Sequence, residues 1–221
     1  MLANNSVLLQ SELFAGLDQT VVEKFTATAE LRSFAPDEMI IAEGQQASFV
    51  YCVMNGFVRL SKSESAGREA DICVCESGDT FGEYLLAGGG SYAYSARSAG
   101  GAEVALFALA DLQAFADQHP VVHRNVMRIM VRHLLGAMEC IARDRLLTAA
   151  QRVANYLMSR CPASASQVTF RLPYRKRILA GKLGLAPEAL SRAFATLAAS
   201  GVEVRGNVVL VDSVSQLRKA C

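Results

Sequence analysis

No apolar run in this 221-residue chain is long enough to cross a bilayer, and the opening MLANNSVLLQSELF has neither the basic start nor the cleavage pattern of a signal peptide. Neither a membrane protein nor a secreted one is expected; a soluble, cytoplasmic protein is. C-x-x-C spacing is missing as well. The six cysteines (Cys52, Cys73, Cys75, Cys140, Cys161 and Cys221) are scattered, which argues against a disulfide framework and for small buried side chains. The closest pair, Cys73 and Cys75 in EADICVC, is separated by one residue, so both are expected on one buried strand face, without zinc or redox spacing. No cysteine has a His and a carboxylate at a catalytic spacing, and an enzyme is not expected. Histidine is sparse, with three in all.

Positive charge is also scarce over most of the chain. Residues 1–170 hold 13 Lys/Arg against 18 Asp/Glu, a net −5, whereas residues 171–221 hold nine against three, a net +6. A basic module on an acidic body points to a polyanion partner for that module. At 52% hydrophobic and 19% charged residues, the chain can bury a real core, so intrinsic disorder is excluded.

The pattern along the chain divides it three ways: a sensor-like domain at 1–119, a long helix at 120–147 and a C-terminal module at 148–221. After one helix at about 11–30, short segments such as ELRSF, MIIAEG, FVYCVM, GFVRLSK, EADICVC, YAYSARS and AEVALFAL alternate with turn signals and predict a small β-sandwich or barrel. Asn55-Gly56 is read as a hairpin turn between two of them. From about Leu109 the pattern turns helical. Val126, Met130, His133, Ala137, Cys140, Asp144 and Leu147 recur at spacings of four and three, which suits a seam between two copies of the helix; a core helix within one chain is the alternative. Thr148-Ala-Ala-Gln151 forms a capping box that starts a new helix and marks a hinge.

The last 50 residues carry helix-turn-helix spacing. In RKRILAGKLGLAPEALSRAFATLAASG, Leu179, Leu183, Leu185, Leu190, Phe194 and Leu197 fall at core positions of two short helices, with Gly184 at the turn. VEVRGNVVLVDS then reads as a hairpin turning at Gly206-Asn207, which makes the motif winged. The second helix opens with Pro187 and Glu188, suited to a first helical turn, and places Ser191 and Arg192 one turn further on the same exposed side. On a recognition helix in a major groove these side chains reach base edges, and Lys176 and Arg177 are candidates for phosphate contacts.

The whole pattern, PDEMIIAEGQQ, then NGFVRL, then SGDTFGE at residues 77–83, then a long helix and a winged helix-turn-helix, resembles the CRP/FNR superfamily of transcription regulators. The resemblance implies an α+β protein: a cyclic-nucleotide-binding-like β-roll, a dimerisation helix and a DNA-binding C-terminal domain. It further implies a homodimer on a palindromic double-stranded site, a small-molecule or gas effector, and RNA polymerase as partner. It puts the effector pocket at Gly82, Glu83, Tyr92, Ala93 and His133, and the dimer interface at Val126, Met130, His133, Ala137 and Cys140. Tyr92-Ala93 stand where cyclic-AMP binders carry an Arg-Ser pair, so cyclic AMP is not expected. No cysteine precedes Cys52, so the N-terminal iron–sulfur cluster of oxygen sensors is excluded on ligand count. The PEALSR helix looks most like the Dnr-type branch, associated with nitric oxide and haem, which makes His133, ahead of His119 and His123, a candidate haem ligand. In CRP an Arg occupies the position of Pro187; the set Glu188, Ser191 and Arg192 instead matches the pattern that reads TTGAT-N4-ATCAA boxes. Two alternatives remain: a ligand-binding protein whose C-terminal module meets another protein, and a thiol-based redox sensor.

Overall fold

The computed structural model describes residues 2–64, 69–162, 164–172 and 175–221, with side chains from residue 6 onward. It divides into two compact units, Met1–Gly136 and Ala137–Cys221. The cut falls inside the long helix.

In the first unit, α1 (Leu2–Leu9) and α2 (Gln19–Thr26) precede the strands β1 (Glu30–Phe34), β2 (Met39–Ile41), β3 (Phe49–Ser63), β4 (Glu69–Cys75), β5 (Thr80–Phe81) and β6 (Ser95–Ala108). Then come α3 (Leu109–Gln118) and the long α4 (Pro120–Leu146). The single helix expected at 11–30 is instead a short turn and α2, because Gly16 adopts φ +82° and Asp18 caps the new helix by accepting from the Thr20 amide at 2.9 Å. All strand pairs are antiparallel, in the order β1-β6-β3-β4, with β2 on β6 and β5 on β3.

The two longest strands form a wall between two cores. Along β3, Val50, Cys52 and Met54 pack with Phe14, Leu112, Val122 and Ile129 on the helical side, while Tyr51, Val53, Val58 and Leu60 pack with Ile41, Phe81 and Leu85 inside the roll. The two-residue period of a strand sends alternate side chains to opposite faces, and here both faces are covered. β3 therefore reads as a continuous apolar run. On the helical side Phe25 stacks on Phe115 at 4.1 Å.

Two strand expectations change. Asn55-Gly56 makes no hairpin: it lies within β3 opposite Glu103 and Ala102, where the register with β6 shifts on either side of the pair. Gly56 has φ +81°, and a Cβ there would lie 2.3 Å from the Gly101 carbonyl oxygen, so the glycine serves a β-bulge and a close backbone approach. Cys73 and Cys75 do not share burial either. Cys75 is buried but Cys73 is exposed, because β4 is the sheet's edge and only its end, Val74 and Cys75, lies over the core.

The second unit holds the end of α4, then α5 (Ala149–Met158), β7 (Val168–Arg171), α6 (Lys176–Lys182), α7 (Pro187–Leu197), β8 (Val202–Arg205), β9 (Val208–Val211) and α8 (Val214–Lys219). Thr148 and Gln151 form the expected capping box. The expected core leucines and Phe194 are all buried. The wing turns at Gly206, φ +61°, and β9 also pairs with β7, giving a three-stranded sheet β7-β9-β8. Residue 163, in the segment between α5 and β7, lies outside the described residues.

Candidate functional site

Helix α7 buries Leu190, Ala193, Phe194 and Leu197 and leaves Pro187, Glu188, Ser191 and Arg192 exposed. The four lie on one side because positions i, i+1, i+4 and i+5 of a 3.6-residue helix share a face. Ala186, the N-cap, supplies no side-chain acceptor, so the helix presents its first amides without a built-in cap. The Ser191 hydroxyl donates to the Pro187 carbonyl at 3.0 Å, which leaves it an acceptor toward anything outside. On the preceding helix Lys176 and Arg177 are exposed, and the Lys176 ammonium lies 5.9 Å from the Phe194 ring centroid.

The turn between α6 and α7 is held from behind. Gly184 takes φ +61°, and one nitrogen of Arg152, Nη1, donates to the Leu183 carbonyl at 3.1 Å, to the Gly184 carbonyl at 3.2 Å and to the Asp144 carboxylate. Sequence reasoning missed Arg152, since the carbonyls it holds lie 31 and 32 residues on, and it read Asp144 only as a position of the helix stripe.

In the first unit, Gly82, Glu83 and His133 come together as expected. Gly82, φ +85°, opens a short 3-10 turn over Glu83–Ala87, and Glu83 is buried there. Its Oε1 lies 3.1 Å from His133 Nδ1 on α4, and its Oε2 is buried without a hydrogen-bond partner among the described residues. The carboxylate's hydrogen bond raises the His133 pKa above its ordinary value, with burial opposing. Tyr92 and Ala93 do not form an open pocket wall. The Tyr92 hydroxyl accepts from the Ser48 and Phe49 amides at 3.2 and 3.0 Å and donates to the Phe49 carbonyl at 2.9 Å, so this phenol plugs the roll.

The pocket amides are met by two tyrosines absent from the expected set. The Gly82 amide donates to the Tyr94 hydroxyl at 2.8 Å, and the Ala93 amide to the Tyr84 hydroxyl at 2.7 Å. Burial pushes both phenols upward, which keeps them neutral. Ser95, also outside the expected set, accepts from the Glu43 amide at 3.0 Å.

Two domain families match the chain: the cyclic nucleotide-binding domain over residues 31–119 and the Crp-like helix-turn-helix domain over residues 151–220. The chain belongs to the CRP/FNR family of transcription regulators. It is 26% identical over 208 residues to the nitrogen fixation regulation protein FixK of Bradyrhizobium diazoefficiens, covering 91% of this chain and 86% of that one. It is 29% identical to the transcriptional activatory protein AadR of Rhodopseudomonas palustris, covering 79% and 74%. The structure of FixK2 from Bradyrhizobium japonicum superposes with a TM-score of 0.71 at 29% identity, covering 87% of this chain and 97% of that one. The protein is thus a DNA-binding regulator and not an enzyme.

In this CRP/FNR regulator the long helix buries one residue of the expected seam. Val126 is buried within its own unit beside Val122, Asn125 and Ile129, the spacing that fits the sheet, and Asn125 is fixed there by donating to the Leu13 and Ala15 carbonyls at 3.1 and 2.8 Å. Exposed apolar side chains include Met127, Val131, Leu134, Met138 and Ile141, again at spacings of four and three, flanked by Met130 and Leu135, with Leu146 at the helix end. Of the expected set, Met130, His133 and Ala137 are exposed and Cys140 is half-buried.

The thiols of Cys52, Cys75, Cys161 and Cys221 have pKa values shifted upward. Burial pushes Cys52 to about 12 and raises Cys161 and Cys221, while Cys75 is held well above its ordinary value first by its hydrogen bond with Cys73. A raised pKa suppresses the thiolate that redox chemistry needs. Among the described residues no group of three or more His, Cys, Asp or Glu could hold a metal ion, and no helix is long and apolar enough to cross a membrane.

Proposed function

We propose that the protein acts as a homodimer that reads a palindrome of the TTGAT-N4-ATCAA type through Glu188, Ser191 and Arg192. The observation that carries this reading is the exposed face of α7, where these three side chains stand together above a buried leucine row. Arg192 and Glu188 share the central G·C pair, Arg donating to guanine and Glu accepting from the cytosine amine, while Ser191 meets the neighbouring thymine. Pro187 cannot donate, so the outer base is left unread. Lys176 and Arg177 contact phosphates. The exposed stripe Met127, Val131, Leu134, Met138 and Ile141 pairs with its copy, the α-helical seam that such spacing favours. Contact with RNA polymerase and a cytoplasmic location follow from the same reading. Selection from random duplexes tests it: a TTGAT-type palindrome is expected, and a TGTGA half-site or no palindrome overturns it.

The effector is not a cyclic nucleotide. A bound phosphate needs backbone amides and a cation, and here the Gly82 and Ala93 amides are already taken by the Tyr94 and Tyr84 phenols. Calorimetry with cyclic AMP in the micromolar range is expected to show no heat, and a clear isotherm refutes this. A haem is the second reading, with one observation in its favour: Glu83 holds His133 through Nδ1, the arrangement in which a carboxylate orients a histidine so that Nε2 faces a metal. A Soret band with haem that is lost in His133→Ala supports it; no band dismisses it. The Dnr-type branch rests on that result.

A further inference from the structure

Helix α6 closes on its own last carbonyls. The Leu185 amide donates to the Ala180 carbonyl at 2.9 Å and the Gly184 amide to the Gly181 carbonyl at 3.1 Å, the pattern in which a left-handed glycine ends a helix. The carbonyls of Leu183 and Gly184 lie beyond that closure, and both are taken by Nη1 of Arg152 on α5, at 3.1 and 3.2 Å. Holding a carbonyl restrains the whole planar peptide to which it belongs. Only Leu185, itself buried, and Ala186 then separate the restrained stretch from Pro187, the first residue of α7. The direction in which α7 leaves the turn is therefore set by where Arg152 holds two peptide planes.

Arg152 is held in its turn. Only 14% of its side chain is exposed, so its charge needs a partner, and the carboxylate of Asp144, near the end of α4, accepts from the same Nη1. Asp144 also closes on the turn: a Cβ on Gly184 would lie 3.3 Å from its Oδ1 and 3.5 Å from Nη1 of Arg152. Without the carboxylate's charge the guanidinium gains by turning toward water, which frees the Leu183 and Gly184 carbonyls.

We propose that Asp144 and Arg152 are positioning residues for sequence recognition: Arg152 aims α7 by holding the turn before it, and Asp144 acts through Arg152. This role rests on α7 being the helix that reads base edges, not on which palindrome it reads. The effect falls on discrimination. Phosphate contacts tolerate a small change in the angle of α7, whereas paired hydrogen bonds to a base edge do not.

Competition binding of the full-length protein tests the proposal, with the duplex recovered by selection and a scrambled duplex of equal length at one fixed salt concentration. The ratio of the two affinities should fall about tenfold in Asp144→Asn, roughly the worth of one misread base pair, while binding to the scrambled duplex changes little. Asp144→Glu, which keeps the charge, should restore most of the ratio. Arg152→Lys, which keeps the charge but not the shape of the head group, should lose as much as Asp144→Asn. Arg152→Gln/Asp144→Asn should lose no more than Arg152→Gln alone, because the acid works through the arginine. Circular dichroism and thermal melting check that the variants stay folded; Asp144, with 45% of its side chain exposed, carries the test if an Arg152 variant does not. A ratio unchanged in Asp144→Asn, equal falls on both duplexes, or losses that add in the double variant overturn the proposal. A wild type from which selection recovers no preferred sequence overturns the recognition reading as well, since a positioning residue then has nothing to aim.

Discussion

His133 Nδ1 and Glu83 Oε1 stand 3.1 Å apart, tying the 3-10 turn of the sensor roll to the long helix that follows it. Around them lie Arg132 and Cys73, which act on His133, and Tyr84, Tyr94 and Cys75, which feel Glu83. The His133 pKa is raised in the fold, so the pair stabilises fully below the unfolded value of about 6.5 and loses that contribution as pH climbs through the folded value. The melting temperature of the wild type should therefore exceed that of His133→Gln most near pH 6, with the gap narrowing toward about pH 9. A gap independent of pH would show that the ion pair is not what separates the two proteins. Half of the His133 side chain is exposed, so solvent screens the pair and the gap should be small.

On α4, Val126 is buried and Leu134 exposed, and the two should respond in opposite ways. Val126→Ala opens a cavity in the first unit and should cost about 2 kcal/mol of its stability while leaving association intact. Leu134→Glu combined with Met138→Glu places like charges across the proposed seam and should give folded monomers in sedimentation. If the double variant sediments as a dimer, the seam lies elsewhere.

Gly56→Ala should be among the most damaging changes in the roll. The new Cβ meets the Gly101 carbonyl oxygen at 2.3 Å and forces a side chain onto a backbone with φ +81°, so a loss of at least about 2 kcal/mol is expected in chemical denaturation. Gly44 provides a control, since its Cβ would meet nothing within 4 Å and only the conformational cost of φ +80° applies. Equal losses at the two positions would mean that the close approach of β3 to β6 is not what matters.

Arg192→Ala should weaken binding to the selected duplex by about 1–3 kcal/mol and relax discrimination at one base pair. Ser191→Ala should cost less, because the hydroxyl's proton is spent on the Pro187 carbonyl and only its acceptor side faces outward. Lys176→Ala should weaken every duplex alike. Competition binding against single-base variants checks all three.

The second unit was legible because its signals are local. The Thr148–Gln151 cap, the leucine spacing and the turns at Gly184 and Gly206 each concern residues within one or two helical turns of one another. In the first unit, local rules misled where tertiary pairing decided. An Asn-Gly dipeptide that makes a hairpin in isolation is drawn into a bulge once β6 runs alongside, and Cys73 follows the edge of the sheet instead of the period of its strand. Val126 faces the sheet although it shares a stripe with the exposed Met130 and His133, because a spacing of four and three recurs on more than one side of the same helix. Burial against the sheet decides which of them faces inward. Tyr94 reaching Gly82, and Tyr84 reaching Ala93, depend on how a loop closes over itself, and nothing in the spacing announces that.

The long pairing of β3 with β6, Phe49 opposite Ala108 at one end and Ser61 opposite Ser95 at the other, also sets a timetable for the growing chain. β3 leaves the ribosome first, and the edge along which it pairs with β6 stays open until β6 has been made, a wait on the order of seconds. During that interval Val50, Tyr51, Cys52 and Val53 form a bare apolar edge of the kind that recruits other chains. The same two-sided burial that makes this strand the wall of the finished domain makes it a segment exposed to misassembly during synthesis.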